Sequence, residues 1–163
     1  EADLLGGINQ LRWIEYSLSS TLMVLLIAQL VGIFDIAALL GIAGANLSMI
    51  LLGWVAERHA QDRRARRERV DWSAYIFGCI TGIFPWIAIA IYLIGADGAP
   101  TFVYGIFVSL FVFFNSFAIV MLLEYLRIGP WRRVVFAERS YIVLSLTAKV
   151  ALTWQVAANV LIG

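Results

Sequence analysis

The sequence predicts an all-α membrane protein with five transmembrane helices. Hydrophobic residues make up 62% of the 163 positions and charged residues only 14%, whereas soluble domains average about 45–50% and about 25%. A chain of this length has too little interior to bury so much apolar surface. The apolar residues also fall into five long runs, each able to cross a hydrocarbon core of about 30 Å as a helix. These observations argue against a soluble enzyme and exclude a disordered chain.

The five runs are predicted to form one transmembrane domain, residues 1–163. Backbone groups in lipid must bond within their own segment, so each run is expected to be a helix. A β-barrel would show alternating polarity, which runs such as Leu22–Leu26 and Phe111–Phe114 lack. The predicted spans are about 8–33, 35–55, 72–95, 101–126 and 140–162.

The connectors between the spans differ in charge. Spans 1 and 2 meet at a tight turn, Phe34-Asp35, and spans 3 and 4 meet at Ala96–Pro100, which has turn residues and no basic group. The other two connectors, Glu57–Asp71 and Arg127–Arg139, hold ten of the twelve basic residues. Lys and Arg concentrate in short cytoplasmic loops. We therefore expect a cell-membrane protein with a cytoplasmic N-terminus and an extracellular C-terminus.

The arginine-rich connector Glu57–Asp71 has a second interpretation as a site for anionic lipid or an acidic partner. Its four acidic residues dilute the charge, which favours the topological role. No basic surface unconnected to topology is present, so no nucleic-acid partner is expected. The single cysteine, Cys79, excludes a disulfide framework and a thiolate metal site, and no metal site is predicted.

Two ionisable residues lie well inside apolar spans: Glu15 in span 1 and Lys149, the only lysine, in span 5. Charges at such depth are costly and usually mark function. Both spans run from inside to outside, and both residues lie roughly 13–17 Å from the inner edge if span 1 begins at Leu4–Leu5. The two charges can therefore form a pair. Arg12, one turn before Glu15, is a cationic neighbour for it.

A lone lysine at mid-membrane is suited to a Schiff base with a carbonyl ligand, because desolvation favours the neutral, nucleophilic amine. A protonated Schiff base then requires a carboxylate counterion. Ser145 and Thr153 lie on the same helix face as Lys149. A purely structural ion pair is the alternative interpretation of Glu15 and Lys149.

Four segments of the sequence resemble one known family. RWIEYSLSS (Arg12–Ser20) and SYIVLSLTAKVALTWQ (Ser140–Gln155) resemble the third and seventh helices of heliorhodopsins, which are retinal proteins of inverted orientation. FVFFNSFAIV (Phe111–Val120) is similar to their sixth helix and GANLSM (Gly44–Met49) to their fourth. The resemblance implies that the five spans are helices 3–7 of a seven-helix rhodopsin bundle, with the first two helices absent from this sequence.

The resemblance also implies a cofactor and its site. All-trans retinal would be carried by Lys149 as a protonated Schiff base, with Glu15 as counterion and Ser145 hydrogen-bonded near the pair. Arg12 belongs to the same motif as Glu15. The residues matched to the lining or surroundings of the polyene pocket are Tyr16, Ser19, Ser20, Asn46, Met49 and Phe114.

The predicted function is light sensing or light-driven regulation, neither ion pumping nor enzyme catalysis. The outer half of span 1, Leu22–Leu30, has no carboxylate, and span 5 offers only Gln155 and Asn159 beyond Lys149. A transporter or channel that uses the Glu-Lys pair as a gate, and a structural membrane subunit, are the alternatives.

The expected partners are membrane lipid, a second copy of the chain and an unidentified cytoplasmic signalling protein. The resemblance implies a dimer through spans 2 and 3. Small residues Ala37, Gly41 and Ala45 follow one face of span 2 and are compatible with close helix approach, either in a dimer or within the bundle.

Overall fold

All regular secondary structure in the described residues is helical. The structure, a computed structural model, describes residues 10–95 and 101–162. Among them, five helices are long and apolar enough to cross a membrane, which confirms the predicted class. Helices α1 to α5 are Gln10–Leu30, Ile36–Ala65, Ser73–Gly95, Thr101–Tyr125 and Val134–Ile162. The predicted turn at 96–100 and the predicted start of span 1 lie outside the described residues.

The tight turn between α1 and α2 is formed by local backbone and side-chain bonds. Gly32 adopts φ 93°, a conformation that glycine reaches without steric cost. The Ile33 amide then donates to the Ala28 carbonyl at 2.9 Å and closes the end of α1. Asp35 caps α2 by accepting from the Ala38 amide at 2.8 Å. The predicted turn at Phe34-Asp35 is thus present.

Two helices extend beyond the predicted spans. The second span was expected to end at 55, but α2 continues to Ala65, and the fifth was expected to begin at 140, but α5 begins at Val134. The predicted ends followed the appearance of charged residues. Arg, Glu, Gln and Ala are nevertheless good helix formers, so a helix continues into water where the sequence allows it. More than half of the arginine-rich segment is therefore helical.

The link between α2 and α3 contains a network of exposed charges. Arg67 takes φ 57° just after α2, and Arg63 approaches Asp71 and Glu68, each at 3.9 Å. The Oδ1 atom of Asp71 accepts from the Ser73 amide at 2.9 Å at the start of α3. That backbone bond first, then the Ser73 hydroxyl and the nearby Arg63 charge, hold the pKa of Asp71 below its usual value.

The helices form two compact units: α1, α2 and α3 in the first, and α4, the 3₁₀ turn Gly129–Arg132 and α5 in the second. The single domain predicted from the sequence stays a prediction. In the first unit, α3 approaches α2 closely at two glycines. A Cβ at Gly78 would lie 3.5 Å from Leu52 Cβ, and one at Gly82 would lie 3.0 Å from Met49 Cγ.

The small residues Ala37, Gly41 and Ala45 of α2 do not take part in the contact with Gly78 and Gly82 of α3. Ala37 and Gly41 are exposed and Ala45 is half-buried, and a Cβ at Gly41 would have no neighbour within 4 Å among the described residues. The close approach within the first unit therefore uses glycines of α3 rather than this face of α2. The dimer through spans 2 and 3 stays a prediction.

Candidate functional site

Lys149 lies near the middle of α5, and its side chain is half-buried. Its neighbours Ala148 and Leu152 are 3% and 5% exposed, so the lysine flanks the buried face of the helix. The Thr153 hydroxyl donates to the Lys149 backbone carbonyl at 2.9 Å. Ser145, one turn earlier, is also half-buried. The structure thus places the amine and the serine hydroxyl on neighbouring turns of one apolar helix.

Two polar contacts join α4 to α5 on either side of Lys149. The Gln155 amide donates to the Ser109 hydroxyl at 2.9 Å. At the other end, the Tyr141 hydroxyl donates to Glu124 at 3.2 Å, and the Tyr141 ring stacks on Phe117 with centroids 6.4 Å apart. Hydrogen bonds between helices fix their register in lipid. The second unit therefore holds α5 at both ends of the segment that carries the lysine.

Glu15 lies on an exposed face of α1. This face also carries Leu11, Leu18 and Leu22, which are 78%, 66% and 62% exposed. The opposite face is buried against the rest of the first unit. The depth of Glu15 below the inner edge stays a prediction, because the expected start of its span at Leu4–Leu5 lies outside the described residues.

Arg12 forms a buried ion pair with a residue that the sequence did not single out. Its Nη2 atom donates to Glu57 Oε1 at 2.7 Å, and both side chains are 6% exposed. Trp13 Nε1 donates to the other carboxylate oxygen, Oε2. The Arg12 guanidinium carbon also lies 5.3 Å from the Trp13 ring centroid. One carboxylate on α2 therefore binds two consecutive side chains of α1.

The prediction that Glu57 begins the connector between spans 2 and 3 was wrong. Because α2 continues to Ala65, Glu57 lies within the helix, and its residue exposure is 4%. One sequence signal could have shown this. Gly53, Ala56 and Ala60 continue a small-residue face through position 57 at spacings of three and four, as on the buried side of a helix. A Cβ at Gly53 would lie 2.9 Å from the Trp13 ring, which shows how closely this face approaches α1.

Two predicted pocket residues, Ser20 and Asn46, contact each other. The Asn46 amide donates to Ser20 Oγ at 2.9 Å and to Thr21 Oγ1 at 3.0 Å. Asn46 is 2% exposed. These bonds form a second polar link between α1 and α2, about two turns along α1 from the Arg12 pair.

The other predicted pocket residues lie on three helices. Tyr16 and Ser19 are half-buried on α1, and Phe114 is half-buried on α4. Met49 is half-buried on α2 and lies against Gly82 of α3. Of the predicted pocket residues, the structure shows a hydrogen bond between Ser20 and Asn46. The role of every predicted pocket residue toward a ligand stays a prediction.

The chemistry of the donor set fits an aldehyde ligand. Lys149 is the only lysine side chain in the sequence, and an amine on an apolar helix is the group that condenses with an aldehyde.

The sequence was compared with known proteins. The family model described as Heliorhodopsin matches residues 1–161. No curated protein matches the chain. The matched range includes helices α1 to α4, all of α5 except its last residue, and both ionisable residues singled out from the sequence.

Proposed function

The chain belongs to the heliorhodopsin family, whose members bind retinal, and we propose that it senses light rather than pumping ions. The observation that carries the proposal is Lys149, a single lysine half-buried in the apolar helix α5 of a chain that the family model matches almost completely. Retinal, when bound, supplies visible-light absorption and a photoisomerising chain.

The proposal gives each site residue a role. Lys149 Nζ attaches the all-trans cofactor covalently and carries a positive charge in the dark. The Glu15 carboxylate balances this charge, and the Ser145 hydroxyl, one turn from the lysine, hydrogen-bonds beside it. The proposed lining residues are Tyr16, Ser19, Ser20, Asn46, Met49 and Phe114. The support for these roles is the match to the family together with the position of each residue on its helix.

The proposed absence of pumping follows from the polar groups of α1 and α5. A pump needs groups that exchange protons on both sides of the charged lysine nitrogen. The segment Leu22–Leu30 contains no carboxylate. Gln155, beyond Lys149, is hydrogen-bonded to Ser109 and has no titratable group. These helices thus offer no outward proton relay, which supports a sensor or a light-driven regulator.

The proposal extends to orientation and partners. Two connectors hold ten of the twelve basic residues of the sequence. Because Lys and Arg concentrate in cytoplasmic loops, this distribution supports a cytoplasmic N-terminus and an extracellular C-terminus in the cell membrane. We propose that the protein acts as a receptor and not as an enzyme. We also propose that it forms a homodimer and that a cytoplasmic signalling protein binds it. Exposed apolar side chains on all five helices support lipid contact.

The test is addition of all-trans retinal to the full-length apoprotein in membranes. We expect a visible absorption band that Lys149→Ala removes, because the variant has no side-chain amine in this helix. Val150→Ala, at a neighbouring position that is 47% exposed, is the matched control and should keep the band. A band that survives Lys149→Ala would exclude covalent attachment at this residue.

A further inference from the structure

The burial of Glu57 changes the charge balance of the arginine-rich segment at the end of α2. Glu57 is 4% exposed and binds Arg12 and Trp13 of α1, so its carboxylate faces the helix contact and not the surface. The rest of the segment, Arg58–Asp71, has six arginines and three acidic residues. Acidic residues therefore dilute the positive surface less than the sequence indicated.

The three acidic residues are also distributed unevenly among the arginines. Glu68 and Asp71 both approach Arg63, each at 3.9 Å, while Asp62 is exposed. In the described part of the chain, four exposed arginine side chains have no ion pair or hydrogen bond: Arg58, Arg66, Arg67 and Arg69. These four, called the free arginines below, carry the excess positive charge.

The length of α2 brings this charge to a membrane surface. The helix begins at Ile36, directly after the charged cap Asp35. At 1.5 Å per residue, Arg58 is about 33 Å and Arg66 about 45 Å further along the axis. A hydrocarbon core is about 30 Å thick, and the headgroup regions bring the total to about 40–45 Å. The free arginines thus lie within the headgroup region or just beyond it, within reach of their long side chains.

The start of α3 gives a second marker of the same level. Trp72 and Tyr75 form an edge-to-face pair there, with ring centroids 6.0 Å apart. Trp and Tyr are enriched where a membrane protein passes the headgroups. Arg69 precedes Trp72 by three residues, so the chain re-enters the membrane beside the free arginines.

The turn after α2 holds an arginine in a conformation that favours glycine. The Glu68 amide donates to the Arg63 carbonyl at 2.8 Å, and the Arg67 amide donates to the Arg64 carbonyl at 3.1 Å. This is the hydrogen-bond pattern of a Schellman motif, in which the residue at the position of Arg67 is usually glycine. Arg67 has φ 57°. A positive side chain therefore stands at the tip of the turn despite the strain, as is common at functional sites.

We propose that the free arginines bind the phosphate groups of anionic phospholipids at this surface of the membrane. Clusters of about four to eight basic residues beside a membrane-spanning helix attract anionic headgroups. A guanidinium also makes paired, charge-assisted hydrogen bonds to phosphate oxygens. Lipid is favoured over an acidic protein because lipid phosphates are the anions present at this level. The proposal needs neither retinal nor a particular orientation, because all these residues belong to the first unit.

The experiment measures binding of a fluorescent short-chain phosphatidylglycerol to the full-length apoprotein in a nonionic detergent, by fluorescence anisotropy. Phosphatidylcholine with the same chains and fluorophore is the reference, because its headgroup has a phosphate but no net charge. We expect wild-type protein to bind phosphatidylglycerol about fivefold more tightly in low salt. The two affinities should converge in about 1 M salt, where the Debye length falls to about 3 Å.

Substitutions near the turn test the arginines themselves. The variant Arg66→Gln/Arg67→Gln/Arg69→Gln should lose most of the preference for phosphatidylglycerol. The matched control, Arg66→Lys/Arg67→Lys/Arg69→Lys, keeps the charge and should keep most of the preference. Asp62→Asn removes the exposed acid and should raise the affinity for phosphatidylglycerol, by up to about fivefold.

Arg67→Gly separates lipid binding from folding. Glycine reaches φ 57° without steric cost, so the thermal unfolding midpoint should stay the same or rise. The affinity for phosphatidylglycerol should nevertheless fall, because one free arginine is lost.

Four outcomes would overturn the proposal. The first is equal affinity of wild-type protein for the two lipids in low salt, and the second is a full preference in the triple Gln variant. The third is stronger competition by inorganic phosphate than by chloride at the same ionic strength, which would indicate a site for free phosphate. The fourth is displacement of the lipid by micromolar polyglutamate, which would assign the surface to an acidic protein. None of them affects the proposed function, which is tested by the visible band with retinal.

Discussion

Glu57 illustrates how a single carboxylate can organise a helix contact. It accepts from Arg12 and Trp13, both on α1, while it is itself buried on α2. Removing one partner of a buried ion pair typically costs about 3–5 kcal/mol, because the remaining charge loses its compensation. The contact between α1 and α2 is therefore sensitive to a change at Glu57.

Neutralising Glu15 should change the visible absorption of the protein reconstituted with retinal. Glu15→Gln removes the charge that stabilises a positive lysine nitrogen, so we expect a red-shifted band. The midpoint of its loss in alkali should fall by about one to three pH units. Visible absorption recorded during a pH titration of the reconstituted protein measures both quantities.

Asp35→Asn is the matched control for this substitution. It makes the same change of charge at an exposed helix cap, where Asn is an equally good capping residue. The control should leave the band unchanged. If Glu15→Gln changes neither the maximum nor the midpoint, the counterion role belongs to another residue.

At the scale of the elements, glycines determine how closely the helices of the first unit approach. Gly53 of α2 lies against the Trp13 ring, and Gly78 and Gly82 of α3 lie against α2. Without side chains at these positions, backbones come close enough for polar groups on facing helices to bond. Gly41 and Gly44 are on the same helix as Gly53, but a Cβ added at either would meet no described atom within 4 Å.

A methyl group at Gly53 should therefore disrupt the contact between α2 and Trp13 of α1. Its Cβ would lie 2.9 Å and 3.0 Å from two carbons of the Trp13 ring, and overpacking of this kind costs about 1–3 kcal/mol. Gly53→Ala is expected to lower the thermal unfolding midpoint. Gly44→Ala, with open space around the new methyl group, should be neutral or stabilising by up to about 1 kcal/mol. Equal midpoints for the two variants would contradict the close contact.

At the scale of the whole molecule, light should produce no net ion transport. Protons can move between groups near Glu15, but Leu22–Leu30 has no carboxylate to pass them outward. We expect illuminated vesicles that carry the full-length protein with retinal to show no sustained change in external pH. The measurement is made in continuous light, with and without an uncoupler. A gradient that the uncoupler collapses would restore the interpretation as a pump.

The sequence alone was sufficient for the class, the number of spans and the family. Lipid imposes requirements on each segment separately, namely about 20 apolar residues and internally satisfied backbone groups, and both can be recognised along the chain. The same reasoning singled out Glu15 and Lys149, because a charge within an apolar run is conspicuous without knowledge of its surroundings. Their pairing stays a prediction.

Only the tertiary structure decided which side chains meet. Glu57 is buried and binds Arg12 and Trp13 because of the rotation and register of α2 against α1. The same two properties of neighbouring helices decide which glycines lie at close contacts, namely Gly53, Gly78 and Gly82 rather than Gly41. Rotation and register are set by many nonlocal contacts at once. The helix ends were likewise misjudged, because a charged residue marks the edge of the lipid but does not end a helix that water can solvate.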